Sequence, residues 1–105
     1  MTLPDSDPVF VFLGEAVADG AENYRDGARH AIIVLVRASD LNSAQAIAER
    51  IVCEANWAYP RFRKSAELSS NPDEVVEPHL RGAIKTALET GRAMVVYQDE
   101  IPLNS

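Results

Sequence analysis

Histidine and cysteine, the side chains best suited to proton transfer, nucleophilic attack and transition-metal binding, occur only at His30, His79 and Cys53. Neither histidine has a cysteine or a second histidine at the spacing of a metal site. His30 opens an apolar run and His79 falls in the first turn of a predicted helix, so we interpret both as surface or boundary residues. A small enzyme that pairs His30 or His79 with a carboxylate stays an open hypothesis.

Two further signals argue against catalysis. Cys53 has Glu49 and Glu54 nearby and lies well past the start of its predicted helix, so it lacks the positive neighbourhood that activates a thiol. The sequence has no glycine-rich phosphate loop and no Ser-His-Asp arrangement, so we expect no cofactor. These residues favour a protein that is not an enzyme, with the histidine enzyme as the open alternative.

A basic cluster is the clearest candidate for binding an anion. It consists of Arg61, Arg63 and Lys64, with Phe62 between the cations and two more aromatic residues, Trp57 and Tyr59, just upstream. Interleaved basic and aromatic side chains can bind single-stranded nucleic acid. Phe62 is expected to face the core, however, and cations on an edge strand often block unwanted pairing, so we disfavour that function.

The segment 14–29 is the second candidate region. It holds two Asp-Gly pairs, which favour turns, and four acidic residues without the spacing of a calcium-binding loop. Sixteen residues are many for a connection in a compact domain, and long loops are often functional or mobile.

Length and composition place these residues in one ordinary globular domain, residues 1–105, with flexible ends at 1–8 and 101–105. The chain has 47% hydrophobic residues and a net charge of −6, which disfavours non-specific binding to nucleic acid or anionic membranes. A single cysteine excludes an internal disulfide. The start of the sequence has no signal-peptide pattern, so we expect a cytoplasmic protein.

The elements that must position the candidates follow from apolar patterning. Four segments have the short, β-branched or alternating character of strands, at 9–13, 30–37, 61–68 and 93–98. Two segments have the apolar stripe of a helix. The first is capped by Asn42, with Gln45 completing a capping box, and ends near Trp57. The second runs over 78–90 and is closed by Gly91. A helix-start signal at 71–74 precedes the second helix.

The element order ββαβαβ predicts an α+β two-layer sandwich, an open sheet with both helices on one face. This order resembles the ferredoxin-like arrangement, with the first strand replacing or extending one of the usual four. The alternative is a three-layer βαβαβ fold with one helix on each face.

A two-layer sandwich leaves one sheet face bare, yet three of the four strands are apolar on both faces. The bare face then needs a cover, and a face-to-face homodimer is the simplest one. The candidate interface residues are Phe10, Phe12, Ile33, Leu35, Val95 and Tyr97.

Three functions follow as hypotheses. The first is a non-catalytic interaction or regulatory module, acting as a homodimer or on another protein. The second is a small-ligand domain that binds an anion at the dimer interface or beside the 14–29 segment. The third is the histidine-dependent enzyme.

Overall fold

The structure is a computed structural model that describes residues 7–67 and 78–101. The six elements are β1 (Val9–Ala18), β2 (Arg29–Arg37), α1 (Leu41–Glu54), β3 (Trp57–Glu67), α2 (Pro78–Thr90) and β4 (Arg92–Glu100). This confirms the α+β class and the predicted order of the elements. The predicted ends at 1–6 and 102–105, Leu68 and the helix-start signal at 71–74 lie outside the described residues.

The four strands form one antiparallel sheet in the order β3-β1-β2-β4. The two strands with the strongest apolar character on both faces, β1 and β2, are therefore central. β1 continues past Gly14 to Ala18, so the connection to β2 is shorter than the sequence predicted and covers residues 19–28. β1 and β2 pair antiparallel from Val9–Arg37 to Val17–Arg29, so the 19–28 loop as a whole, and not a tight turn at one Asp-Gly pair, joins the two strands of a hairpin.

The prediction that both helices lie on one face is wrong. α1 packs against β1, β2 and β3, over a core that includes Phe10, Phe12 and Val34. α2 packs against β2 and β4, over a separate core that includes Ile33 and Leu35. Successive strand residues point to opposite faces, so these two cores lie on opposite sides of the sheet.

The layers are therefore those of the alternative fold, with one helix on each face. The physical reason is the same two-sided apolar character that the sequence shows. The second face does need a cover, and α2 of the same chain supplies it. The predicted ferredoxin-like arrangement is not confirmed, since the strand order is β3-β1-β2-β4 and the two helices lie on opposite faces of the sheet.

The first helix begins at a different cap from the predicted one. Asp40 is the N-cap, and its carboxylate accepts a hydrogen bond of 2.8 Å from the main-chain N–H of Ser43. This hydrogen bond holds the pKa of the Asp40 carboxyl below its usual value. Gln45 bonds to Glu49 on the helix surface and takes no part in a capping box. At the end of α2, Gly91 has a φ of 92° and its N–H bonds to the carbonyl of Ala87, as the sequence predicted.

β3 departs from the alternating pattern of the sequence. Its register with β1 passes from Leu13–Lys64 to Gly14–Phe62, so Arg63 is an extra residue, a β-bulge. Strict alternation predicts Lys64 and Ala66 on the same face as Phe62, and this is wrong beyond the bulge, where both residues lie on the face of α2 with Arg61 and Arg63. None of the helices within the described residues is long and apolar enough to cross a membrane.

Candidate functional site

The interpretation of His30 as a surface or boundary residue is wrong, because the residue is buried in an apolar row of β2. Every second residue after it, from Ile32 to Val36, belongs to the core beneath α1, and His30 lies on this same face. Only 2% of its surface is exposed. Ala16 of β1 is its register partner. A histidine in such a place requires hydrogen-bond partners for both ring nitrogens, because an unpaired buried polar atom destabilises the fold.

Two aromatic rings enclose the imidazole. The rings of Tyr24 and Trp57 lie edge-on to it, with centroid distances of 4.9 Å and 5.4 Å. The two aromatic rings also contact each other edge-on at 5.0 Å. The three rings pack edge-on to one another, and this packing fixes the plane of the imidazole. Tyr24 comes from the 19–28 loop and Trp57 from the first residue of β3, so three separate parts of the chain converge here.

One ring nitrogen of His30 has a partner that fixes the tautomer. Nδ1 lies 2.8 Å from the carbonyl oxygen of Tyr97. A carbonyl oxygen can only accept, so Nδ1 must carry the proton and donate it. In the neutral ring, Nε2 then holds the free lone pair.

An irregularity in β4 provides the carbonyl that His30 contacts. Ile32 pairs with Val96 and His30 with Glu100, so residues 97–99 of β4 lie opposite the single residue Ala31. A stretch with extra residues leaves the regular ladder, and its carbonyls can then accept bonds from side chains. The Tyr97 carbonyl lies in this stretch.

The other ring nitrogen of His30 has no partner. Nε2 is buried and makes no hydrogen bond. An unsatisfied buried acceptor costs about 1–3 kcal/mol. Arg37 Nε is also buried without a hydrogen-bond partner. A guanidinium has four other N–H donors, however, whereas Nε2 is the only other polar atom of the His30 ring.

A polar cavity of about 460 Å³ adjoins this histidine. Its lining comes from the 19–28 loop, from the start of β2 and from the irregular stretch of β4. The lining residues are Asn23, Tyr24, Arg25, His30 and Gln98. A volume of this size falls within the range of small-molecule sites.

The 19–28 loop is held in place by its own hydrogen bonds. Ala18 and Ala28 close its base, and the N–H of Gly20 bonds to the Asp26 carboxylate at 2.8 Å. Asn23 adopts a positive φ of 72°, a conformation that asparagine tolerates better than most residues. The cavity is thus largely preformed. The sequence pointed to this loop by its length and to His30 by its chemistry, but it gave no signal for Gln98.

A second charged cluster lies on the opposite face of the sheet. Glu15 is only 4% exposed, yet its two carboxylate oxygens pair with Arg29 and Arg63, each at 3.2 Å. Because Arg63 takes part, this cluster includes one residue of the predicted basic group. Arg61 is the register partner of Glu15, so all three predicted cations belong to this face.

The aromatic residues near the basic cluster do not form a stacking surface together. Phe62 packs on Phe12 with a ring-centroid distance of 5.3 Å, and Trp57 is buried beside His30. Of these three residues, Tyr59 is the one that is mostly exposed, at 77%, while Phe62 is half-buried. The arrangement gives little support to binding of single-stranded nucleic acid by stacking.

The six predicted interface residues do not form one surface. Phe10 and Phe12 lie beneath α1, whereas Ile33 and Leu35 lie on the other face beneath α2, next to the half-buried Val95 and Tyr97. The chain itself therefore covers the residues that the homodimer hypothesis relied on. The homodimer itself stays a prediction from the sequence.

The requirements of a histidine enzyme are met only in part. The partner of His30 Nδ1 is a main-chain carbonyl, where the sequence hypothesis required a carboxylate. Of His79 the structure describes only the backbone, in the first turn of α2. Within residues 7–67 and 78–101 no group of three metal-ligating side chains converges, and Cys53 is an exposed free thiol on α1.

Comparison of the chain with protein-family models, with curated proteins and with solved structures gives no match. Its function must therefore be inferred from the site.

Proposed function

We propose that this protein is a small-ligand-binding domain whose ligand occupies the cavity beside His30. The observation that carries the proposal is the buried Nε2 atom, which has no hydrogen-bond partner although its ring is fixed by two aromatic neighbours and a carbonyl. A site that holds an unpaired acceptor in a fixed geometry is suited to a ligand that completes the hydrogen bond.

The chemistry of the lining defines the ligand. In the neutral ring with its proton on Nδ1, Nε2 is an acceptor, so a ligand group that reaches it must be an O–H or N–H donor. The amides of Asn23 and Gln98 can each donate and accept. The guanidinium of Arg25, also among the described lining residues, is a further group that can donate hydrogen bonds to a ligand. The expected ligand is a small polar compound with a hydroxyl, amide or protonated nitrogen donor.

The geometry of the His30 cavity requires neither the histidine enzyme nor the homodimer. The histidine enzyme would add a reaction to the same cavity, but the described residues supply no carboxylate to His30. Self-association and a cytoplasmic location remain predictions from the sequence, and the cavity requires neither.

The first experiment is native mass spectrometry of the full chain, purified gently from cells and also exposed to a small-molecule extract. Wild-type protein should carry a discrete excess mass above that of the chain. His30→Asn should lose it, because the asparagine amide can still donate to the Tyr97 carbonyl but no acceptor remains in the place of Nε2. Arg50→Gln, on the exposed surface of α1, is the control and should retain the excess mass.

A second readout keeps the proposal testable if His30→Asn fails to fold. The ¹⁵N resonances of the His30 ring in the wild-type protein should report a protonated Nδ1 and an unprotonated Nε2, and ligand addition should shift the Nε2 resonance. Wild-type protein with no excess mass after exposure to the extract, or a folded His30→Asn variant that retains the ligand, would contradict the proposal.

A further inference from the structure

A second cleft, of about 300 Å³, lies on the face of the sheet opposite to His30. It is bounded by the end of β4, by β1 and β2 and by the bulged part of β3. Most of the lining surface is apolar, and three of the lining side chains are charged. The lining residues are Leu13, Gly14, Glu15, Ala31, Arg63, Lys64 and Ile101.

The bulge brings two cations to this cleft. In a regular strand the consecutive residues Arg63 and Lys64 would point to opposite faces. Because Arg63 is the extra residue, Lys64 is the register partner of Leu13 while the Arg63 guanidinium reaches Glu15, and both cations line the same cleft. Gly14 permits this geometry, since a Cβ there would collide with the main-chain carbonyl of Arg61.

The cleft carries an excess of positive charge within an acidic protein. Glu15 already pairs with Arg29 and Arg63, so its single negative charge is shared between two guanidinium groups. Lys64 adds a third cation at the same site. The Glu15 carboxylate also restrains Arg63, which is 73% exposed and would otherwise sample many rotamers. The result is a pre-oriented cationic side next to an apolar wall.

We propose that this cleft binds the carboxylate of a molecule that also bears a short apolar group. The carboxylate would lie between Arg63 and Lys64, where charge-assisted hydrogen bonds are strong. The apolar group would pack on Leu13, which is 42% exposed, and on Ala31. Free small acids and the C-terminus of a polypeptide both present this chemistry.

The test is an NMR titration of the full chain at low ionic strength with benzoate, and with benzamide as the uncharged control. Benzoate should shift the amide resonances of Leu13, Ala31 and Lys64, and benzamide should not. Lys64→Gln and Arg63→Gln should each weaken benzoate binding roughly tenfold, whereas Arg50→Gln removes the same charge from α1 and should change it less than about twofold.

One further variant is expected to bind benzoate more tightly than wild-type protein does, and a general loss of structure could not produce such a gain in affinity. Glu15→Gln frees both guanidinium groups from their carboxylate, so benzoate should bind more tightly than to wild-type protein. If Glu15→Gln does not fold, the proposal is tested by Lys64→Gln and Arg63→Gln, which change exposed residues of β3.

The source of the carboxylate is distinguished with two short peptides that end in an apolar residue, one with a free C-terminal carboxylate and one amidated. Tighter binding of the free-carboxylate peptide than of benzoate would assign the cleft to a polypeptide terminus, and binding of benzoate alone would assign it to a small acid. Equal shifts with benzoate and benzamide, shifts confined to the His30 cavity, or no change in the Arg63 and Lys64 variants would overturn the proposal.

Discussion

Glu15 shows how one buried charge can be tolerated in a small sheet. Its carboxylate lies on the central strand β1, and its partners Arg29 and Arg63 come from the strands on either side. Both partners keep contact with solvent, so the cost of desolvation falls mainly on Glu15. The cluster therefore links β1, β2 and β3 through side chains on the α2 side of the sheet.

We predict that Glu15→Ala lowers the free energy of unfolding by roughly 1–3 kcal/mol, less than for a fully buried pair, because Arg29 and Arg63 can return to water. Arg63→Gln should cost under about 1 kcal/mol, since Arg29 still pairs with the carboxylate. Urea denaturation measures both, with Arg50→Gln as the control. Equal losses for the two variants would mean that Arg63 is the essential partner.

At the scale of the element, two glycines of the described chain have opposite roles. Gly14 lies in β1 where the Arg61 main chain of β3 approaches too closely for any side chain. Gly82 lies within α2, where an added Cβ would meet nothing within 4 Å. The same substitution should therefore have opposite signs at the two positions.

We predict that Gly14→Ala lowers the free energy of unfolding by roughly 1–3 kcal/mol or more, since the β1–β3 pairing must shift to admit the methyl group. Gly82→Ala should raise it by about 1 kcal/mol, the gain in helix propensity. Chemical denaturation of the two variants beside wild-type protein is the measurement. A harmless Gly14→Ala would show that β3 does not approach β1 as closely as the bulge requires.

The cap of α1 has a pH dependence with a defined sign. The pKa of Asp40 is lowered in the folded chain by the hydrogen bond from Ser43 N–H, so the unfolded chain binds protons more readily. The stability that Asp40 contributes is complete above the ordinary carboxyl pKa of 3.8 and is lost as the pH falls through the lower folded value.

We predict that Asp40→Asn, which keeps a good cap but does not titrate, melts close to wild-type protein at neutral pH. As the solution is acidified below the ordinary carboxyl pKa, wild-type protein should lose stability relative to this variant. Asp40→Ala should melt lower than both at neutral pH. Thermal unfolding by circular dichroism across this pH range measures the three curves, and parallel curves for wild type and Asp40→Asn would contradict the assignment of the cap.

For the whole molecule, the decisive feature is that each sheet face has its own helix. Phe12 is completely buried beneath α1, while its neighbour Leu13 is 42% exposed on the other face. Substitutions at these adjacent positions therefore distinguish a residue of the core that the chain itself forms from a residue that is partly exposed to solvent.

We predict that Phe12→Asp unfolds the protein, because a charge without a partner in the core costs several kcal/mol, a large part of the total stability of a small domain. Leu13→Asp should stay folded. Circular dichroism and size-exclusion chromatography distinguish the cases. A Phe12→Asp variant that stayed folded as a smaller species would restore the homodimer through this face.

The sequence predicted the elements well because their signals are local. Apolar runs marked β2 and β4, and the stripe from Leu80 to Leu88 with Gly91 marked α2. It could not predict the bulge at Arg63. The same residues lie on different faces of the sheet when the register shifts, and the pattern of residue types does not reveal where a shift occurs. It interpreted His30 as a surface or boundary residue and gave no signal for Gln98, since the two meet only after α1, β3 and α2 have brought β4 beside β2.

The position of the β1–β2 hairpin at the centre of the sheet has a consequence for the order of folding. Its two strands are joined by a short loop, so they can meet at a low cost in chain entropy, whereas β3 and β4 must be returned by helical crossovers. We expect the sheet to grow outward in the order of the chain, from the hairpin to one edge and then to the other. Pulsed hydrogen exchange during refolding should therefore protect amides of β1 and β2 first, and the His30 cavity should form only when β4, the last strand, arrives.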